Sequence, residues 1–163
     1  VTIDIGTGDN IYPPQKAVVA QRLSLLARHI AYGQNLVCNG PLYEGMKIEG
    51  NKIQINFERD SIGGGLIIGT TPWEDPKAEA TASKTELQGF VVAGEDRQWV
   101  DAEAKIDRDS VVVSSPKVSH PIAVRYAWAQ NPVCNLYNRE KLPASPFRTD
   151  DWQETVPPAP ATK

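Results

Sequence analysis

The stretch MKIEGNKIQINF, residues 46–57, decides the fold of this chain. Two runs in which apolar and polar residues alternate flank Gly50-Asn51, a dipeptide that tolerates the positive φ angles of a tight turn. In an extended strand, successive side chains point to opposite faces, so this alternation places the apolar residues of each run on one face. The stretch therefore predicts a β-hairpin.

Four later segments repeat this chemistry between turn residues, and several short strands at such spacing indicate a β-sandwich. The segments are LQGFVVAG (87–94), QWVDAEAKI (98–106), SVVVSS (110–115) and IAVRYAW (122–128). Between the hairpin and these strands lies SIGGGLIIG (61–69), which we expect to be flexible because of its glycines. It lacks the lysine and helix start of a phosphate-binding loop. Residues 70–86 are expected to form a surface excursion.

The N-terminal part has a different character, a strand followed by a helix. VTIDI (1–5) is a β-branched run ended by Gly6, and Pro13 and Pro14 suit the first turn of a helix. Over residues 15–32, apolar side chains recur at helical spacing, and Gly33 is a suitable stop. These side chains are Val19, Leu23, Leu26, Ala27 and Ile30.

Composition narrows the function classes. The chain has 163 residues, enough for one domain or a domain plus a piece of another, and its net charge is −3. It lacks the clustered Lys and Arg of a nucleic-acid binder and any apolar run long enough to cross a membrane. A chain that opens on Val1 in strand-like sequence is interpreted as a fragment or a processed piece. Cys38 and Cys134 fit either a disulfide or two buried thiols.

The sequence carries no motif of a self-contained catalytic or metal site. Gly-x-Ser-x-Gly is absent, and the two histidines, His29 and His120, lie far apart in the chain. His29 falls away from most of the apolar helix stripe and His120 precedes a proline in a turn, so both are interpreted as surface residues. A metal site, which needs three or four converging ligands, is not expected, and neither is a cofactor.

Longer motifs carry a family resemblance. They are VTIDIG (1–6), NIYPPQK (10–16), GPLYEGMKIEGNKI (40–53), GFVVAGEDRQWVDAEAKI (89–106) and VRYAWAQNPVCNLYNREKLPASPFRTDDW (124–152). Together they resemble the C-terminal part of the sialate O-acetylesterases, carbohydrate esterases of the SGNH-hydrolase superfamily. The last motif is the most specific, because it is long and unusual in composition.

The resemblance implies a domain plan. Residues 1–35 would be the last strand and helix of an SGNH-type α/β esterase domain, 36–155 a β-rich, sandwich-like domain, and 156–163 a flexible tail. The fold class is thus mainly β with an N-terminal strand-helix piece. A secreted or periplasmic location is favoured by the resemblance only.

The resemblance also implies a catalytic arrangement. In the family, a serine attacks the acetyl ester, and an Asp–His pair activates that serine, with the histidine directly before the proline that opens the last helix. Here Tyr12 occupies the histidine position and Asp9 the acid position. A phenol, with a reference pKa of about 10, stays protonated at neutral pH and cannot replace an imidazole. The segment that would carry the serine has no counterpart in this chain.

Three interpretations of Tyr12 stay open. It marks an inactive paralogue in which the phenol fills the histidine space, a misaligned loop with the base elsewhere, or an enzyme with altered chemistry or a decisive missing part. Two functional hypotheses follow. The chain is the C-terminal portion of a carbohydrate (sialate-type) O-acetylesterase, active only with the missing nucleophile-bearing segment, or it is a non-catalytic carbohydrate-binding or accessory β-domain.

The β-rich part holds candidates for binding an acetylated carbohydrate, because rings stack on sugars and amides bond to hydroxyls. They are Tyr126, Trp128, Asn131, Asn135, Tyr137 and Asn138. The alternative is that these asparagines cap their own backbone. Arg148, close to Asp150 and Asp151, suits either the carboxylate of a sialic acid or a structural ion pair.

The apolar stripe of the N-terminal helix predicts a protein contact. We expect residues 1–33 to dock on the β-domain, to self-associate, or to pair with an N-terminal esterase segment, because exposed apolar faces and strand edges invite pairing.

Overall fold

The computed structural model describes residues 1–6, 12, 15–69 and 86–153. The described chain is mainly β, as predicted, with two helices. The helices are α1 (Lys16–Ile30) and α2 (Arg59–Ile62), and the strands are β1 (Tyr43–Glu49), β2 (Lys52–Phe57), β3 (Leu66–Ile68), β4 (Phe90–Ala93), β5 (Val100–Asp101), β6 (Glu103–Asp107), β7 (Ser110–Ser114), β8 (Ala123–Tyr126), β9 (Leu136–Asn138) and β10 (Phe147–Arg148).

The predicted hairpin over residues 46–57 is confirmed. Strands β1 and β2 pair antiparallel with Glu49 opposite Lys52, and Gly50 has φ +63° in the connecting turn. Strand β2 continues the sheet through β7, which pairs with β6, so the order is β1-β2-β7-β6. The hairpin is therefore one edge of a four-stranded antiparallel sheet.

A second antiparallel sheet has the order β10-β8-β4-β5, and β3 pairs with β9 as a separate ribbon. Alternate side chains of both four-stranded sheets belong to one buried apolar cluster. The first sheet contributes Ile53, Ile55, Val111 and Val113, and the second contributes Phe90, Val92, Val124 and Tyr126. Burial of each such side chain stabilises the fold by about 1.5–3 kcal/mol, which holds the two sheets together.

Phe147 lies at the centre of an aromatic group inside this core. Its ring stacks on Tyr43 with 4.8 Å between centroids, and on Tyr126 with 5.7 Å. Phe57 and Phe90 meet it edge-on, at 6.2 and 6.3 Å. Strand β10 is only two residues long, so this ring packing supplements its few ladder hydrogen bonds.

The glycine-rich stretch 61–69, expected to be flexible, contains part of α2 and the whole of β3. The Gly64 N–H donates to the carboxylate of Glu140 at 3.0 Å, and a Cβ at Gly63 would overlap that carboxylate. A Cβ at Gly69 would lie 2.6 Å from the Tyr137 ring. These glycines therefore allow close packing of the ribbon, and the loop amide is occupied by a side chain of the protein itself.

The predicted strand over residues 1–5 is not formed. The Ile5 N–H donates to the Thr2 carbonyl at 3.3 Å, which closes a turn, and Asp4 and Ile5 are each only 1% exposed. A strand forms only when a neighbouring strand accepts its hydrogen bonds, and no described strand pairs with this segment. The β-branched residues therefore adopt a turn that buries two side chains.

The predicted helix is confirmed as α1, one residue later at its start and slightly shorter at its end, with Gly33 at φ +63° just beyond it. None of its residues is buried. Leu23 is 60% and Ile30 75% exposed, so the apolar stripe is largely uncovered by the described residues. The predicted docking of this stripe on the β-domain is therefore not seen. No helix in the described part of the chain is long and apolar enough to cross a membrane.

A buried carboxylate fastens the N-terminal part to the β-rich part of the chain. The two oxygens of Asp4 each accept a hydrogen bond of 2.6 Å from the guanidinium of Arg22 in α1. The phenol of Tyr137 in β9 donates to Asp4 Oδ2 at 3.1 Å, and Arg22 also reaches the Val1 carbonyl at 2.8 Å. Burial, together with the nearby Asp4 carboxylate, raises the pKa of Tyr137. We call Asp4, Arg22 and Tyr137 the carboxylate anchor.

The carboxylate anchor predicts unequal costs for two substitutions. Asp4→Ala leaves a guanidinium and a phenol without their acceptor in a buried place, and we expect it to lower the free energy of unfolding by about 3–5 kcal/mol. Tyr137→Phe removes one hydrogen bond and should cost about 1 kcal/mol. Urea denaturation measures both, with Asp151→Ala, at an exposed carboxylate, as the control. Equal stability of the Asp4→Ala and Asp151→Ala variants would contradict the assignment.

Candidate functional site

Of the two catalytic positions implied by the resemblance, only one lies among the described residues. Asp9 lies outside the described residues, as do the prolines that follow Tyr12. Tyr12 is described, and it is 68% exposed. Both assignments stay predictions.

The carboxylate anchor bears directly on this segment. Asp4 precedes and Arg22 follows the stretch that carries Asp9 and Tyr12, and the two side chains bind each other against Tyr137 of β9. The chain on both sides of the candidate catalytic stretch is thereby fixed relative to the β-domain.

Among the described residues, no group of three or more His, Cys, Asp or Glu side chains converges to hold a metal ion. His29 and His120 are both exposed, and His29 Nδ1 lies 3.1 Å from the Gln34 carbonyl oxygen. Cys38 and Cys134 are free thiols. Burial raises the pKa of Cys134 to about 11, so this thiol is protonated at neutral pH and is not a nucleophile.

Four of the predicted sugar-binding residues lie in the interior, namely Tyr126, Asn135, Tyr137 and Asn138. Tyr126 is 0%, Tyr137 1% and Asn135 5% exposed. The Tyr126 oxygen accepts the Leu136 N–H at 3.1 Å, and burial raises the pKa of Tyr126 well above its usual value. These side chains serve the core and the carboxylate anchor instead of an exposed sugar surface.

The buried asparagines bond to backbone groups, most of which belong to distant segments and not to the loop of the asparagines themselves. Asn135 Oδ1 accepts the Gln88 N–H at 2.7 Å, and its Nδ2 donates to the Glu86 carbonyl at 3.0 Å. Asn138, which is 0% exposed, donates to the carbonyls of Asn39 and Ser61 at 3.0 and 2.9 Å. Both side chains therefore join segments that are distant in sequence.

Trp128, Asn131 and Arg148 remain accessible. Trp128 is 45% exposed, Asn131 is exposed and Arg148 is half-buried. The guanidinium carbon of Arg148 lies 5.5 Å from the centroid of the Trp128 ring, within the range of a cation–π contact. Arg148 Nη1 also donates to the Trp152 carbonyl at 3.4 Å.

A structural ion pair close to Arg148 joins Arg125 to Asp150. Arg125 Nε and Nη2 donate to the two oxygens of Asp150 at 2.8 and 2.7 Å, and these side chains are 12% and 0% exposed. The Arg125 guanidinium lies 4.4 Å from the Trp99 ring centroid, and Trp99 contacts Trp152 at 5.4 Å. Arg125 sits between two buried residues of β8, so strand alternation places it on the outer face, a signal that the sequence did contain.

Trp128 forms part of the wall of a groove of about 480 Å³, which we call the Trp128 groove. Its described lining is Glu86, Leu87, Gln88, Gly89, Phe90, Val91, Asp101, Ala102, Ala127, Trp128, Ala129, Pro132 and Val133. A second groove, of about 790 Å³, shares Glu86, Leu87, Asp101 and Ala102 with it. Sequence reasoning identified Trp128 but missed Glu86 and Gln88, which precede β4, and Asp101, which lies in β5.

No protein-family model matches this chain, and no curated protein sequence matches it either. Among solved structures, it is similar to a carbohydrate acetylesterase from Xanthomonas citri, with a TM-score of 0.78 and 39% sequence identity. This chain is related to a carbohydrate esterase. The match covers 91% of this chain and 31% of the other, so the chain spans about a third of the length of that enzyme. The narrower assignment to the sialate O-acetylesterases stays a prediction.

The Arg125–Asp150 pair predicts a pH-dependent stability. Its hydrogen bond from Arg125 lowers the pKa of Asp150. A carboxyl with a lower pKa in the folded chain contributes fully above its unfolded pKa of about 3.9, and this contribution is lost as the pH falls through the folded value. We expect Asp150→Asn to cost about 1.5–3 kcal/mol at neutral pH, and the difference from the native chain to shrink below about pH 4.

Urea denaturation at a series of pH values measures this difference. Asp151→Asn, at the exposed neighbouring carboxylate, is the matched control and should show a small difference at every pH. A cost of Asp150→Asn that is the same at pH 3 and pH 7 would contradict the role of the ion pair.

Proposed function

We propose that this chain is the C-terminal portion of a carbohydrate O-acetylesterase, of sialate type, which removes acetyl esters from sugars together with a nucleophile-bearing segment. The observation that supports this is the 39% identity to a carbohydrate acetylesterase over 91% of the chain. That enzyme is much longer, since the match covers 31% of it. In this proposal the β-rich part of residues 36–155 accompanies an SGNH-type catalytic domain whose end is residues 1–35.

The chemistry proposed is acyl transfer to a serine followed by hydrolysis. The serine comes from the other segment, and this chain offers Asp9 at the acid position and Tyr12 at the position of the histidine. Since a phenol does not accept the serine proton at neutral pH, the base in this proposal lies elsewhere in the complete protein. The contribution of this chain is positional, because the carboxylate anchor holds both sides of the candidate catalytic stretch.

The exposed apolar face of α1 supports the proposal that another protein segment binds there. Leu23 and Ile30 are 60% and 75% exposed, and Val19 and Leu26 of the same stripe are half-buried. Burial of a side chain of this kind is worth about 1.5–3 kcal/mol. A protein surface that buries the stripe therefore gains binding free energy. We propose that the esterase segment occupies this face, with self-association through residues 1–33 as the alternative.

A second candidate function is a non-catalytic carbohydrate-binding or accessory β-domain that has lost the triad. It is favoured by a specific observation, the tyrosine in place of the family histidine. Both functions act on carbohydrate, and they differ in whether the complete protein releases acetate.

We expect the chain alone to hydrolyse 4-nitrophenyl acetate no faster than background, both as it is and as the Tyr12→His variant, because it supplies no serine nucleophile at a family position. The longer protein that includes an esterase segment should release acetate from acetylated sugars. Activity with Tyr12 intact would place the base elsewhere and exclude the accessory function. Inactivity that Tyr12→His restores would instead identify an inactive paralogue.

The proposed contact at α1 has its own test. Static light scattering over a concentration series, with and without the separately produced esterase segment, should show a complex with that segment. Leu23→Glu combined with Ile30→Glu should abolish it, because two charges would be buried in an apolar contact. Ser24→Glu, at an exposed position on the same helix, is the control. A chain that stays monomeric in both conditions, with the double variant indistinguishable from it, would contradict the proposed contact.

A further inference from the structure

The Trp128 groove combines an exposed aromatic wall with polar side chains. Trp128 and Val133, which are 45% and 52% exposed, both line it. Its volume of about 480 Å³ lies in the range of about 300–1,000 Å³ that is usual for small-molecule sites. A concave surface of this kind suits a ligand with one apolar and one hydrogen-bonding face.

The backbone around Trp128 is held in an uncommon conformation. Ala127, directly before it, has φ +51°, and its N–H donates to the Gly89 carbonyl at 2.9 Å. Gly89 has φ +94°, and a Cβ there would lie 2.8 Å from Cys134 Cβ. A non-glycine residue at positive φ costs energy and persists only where its surroundings impose it, often at functional sites. Here the turn sets Trp128 at the groove.

Another part of the lining is fixed by a buried amide. Asn135 bonds to the backbone of both Glu86 and Gln88, at 3.0 and 2.7 Å. The side chains of Glu86, Gln88 and Asp101 line the groove and are exposed to solvent. They provide carboxylate and amide groups that accept or donate hydrogen bonds to hydroxyls, on a wall whose backbone is already positioned.

The negative charge of the groove favours a neutral sugar over one that bears a carboxylate. Its described lining includes the carboxylates of Glu86 and Asp101 and no Lys or Arg. Like charges that face each other disfavour binding, so a ligand bearing a carboxylate is disfavoured in this groove. The guanidinium of Arg148 lies against the Trp128 ring but is not part of the lining.

We propose that the Trp128 groove is a binding subsite for a neutral pyranose glycan, with Trp128 stacked on a sugar face and Glu86, Gln88 and Asp101 bonded to its hydroxyls. This rests on the proposed carbohydrate function and concerns the groove alone, which would hold a neutral part of the glycan while an acidic sugar binds outside it. Asn135, buried behind the wall, acts as a positioning residue.

The test is a titration of the full chain with neutral hexasaccharides of β-1,4-linked glucose, xylose and mannose, and with sialyllactose as the acidic probe. NMR of the tryptophan indole N–H groups reports the site, and isothermal calorimetry the affinity. We expect at least one neutral hexasaccharide to shift the Trp128 indole signal and to bind at least about tenfold more tightly than sialyllactose. Trp128→Ala should weaken binding at least about tenfold, a difference of about 1.4 kcal/mol.

Tyr32→Ala, which removes an aromatic ring that is 76% exposed just beyond α1, is the matched control and should bind as the native chain does. Gln88→Ala should weaken binding several-fold without changing the urea midpoint, which separates a lost contact from a lost fold. Absence of binding by every neutral probe, unchanged binding by Trp128→Ala, or tighter binding of sialyllactose would each overturn the proposal. None of these results affects acetate release by the longer protein, so the two proposals fail separately.

Discussion

The buried carboxylate of Asp4 is the constraint on which the arrangement of this chain depends. An ionised group that is 1% exposed is costly unless it is paired, and Asp4 receives both guanidinium bonds of Arg22 and the phenol of Tyr137. These three residues come from the N-terminal turn, α1 and β9, so satisfying one charge fixes three segments. Helix α1 has no buried residue of its own. Its position therefore follows from one arginine more than from its apolar stripe, which stays available for another surface.

A second buried polar group links the core to the surface. The sequence predicts Asn135 as a sugar-binding residue, because an amide can bond to hydroxyls. In the structure, its amide bonds to the backbone of Glu86 and Gln88. The same burial gives it an indirect function, since it fixes the wall of the Trp128 groove. A buried amide of this kind selects one arrangement of the segments around it, because each of its donors and acceptors must meet a partner.

Tyr126 and Trp128 show why the candidate site was only partly predictable. They are two residues apart, and strand alternation would place both rings on one face. Ala127 adopts φ +51° after the end of β8, so Tyr126 is 0% and Trp128 45% exposed. The sequence identifies aromatic residues but not such a turn, which is imposed by the contact with Gly89. Likewise, Asp101 reaches the groove only because β5 pairs with β4.

What the sequence by itself determined is what depends on local chemistry: the hairpin around Gly50-Asn51, helix α1, and strands β4, β7 and β8. The single segment predicted over 98–106 is divided into β5 and β6, which belong to different sheets. Turn residues and periodicity act over a few neighbours, and no distant segment is needed to interpret them. The tertiary structure decided the rest. Residues 1–5 have strand-like composition but form a turn, because no described strand lies alongside them. Arg125 and Asp150 are 25 positions apart in the sequence, and only the packing of β8 against the last segment brings them together. Which distant residues become partners depends on which surfaces pack together, and a local stretch of sequence does not contain that information.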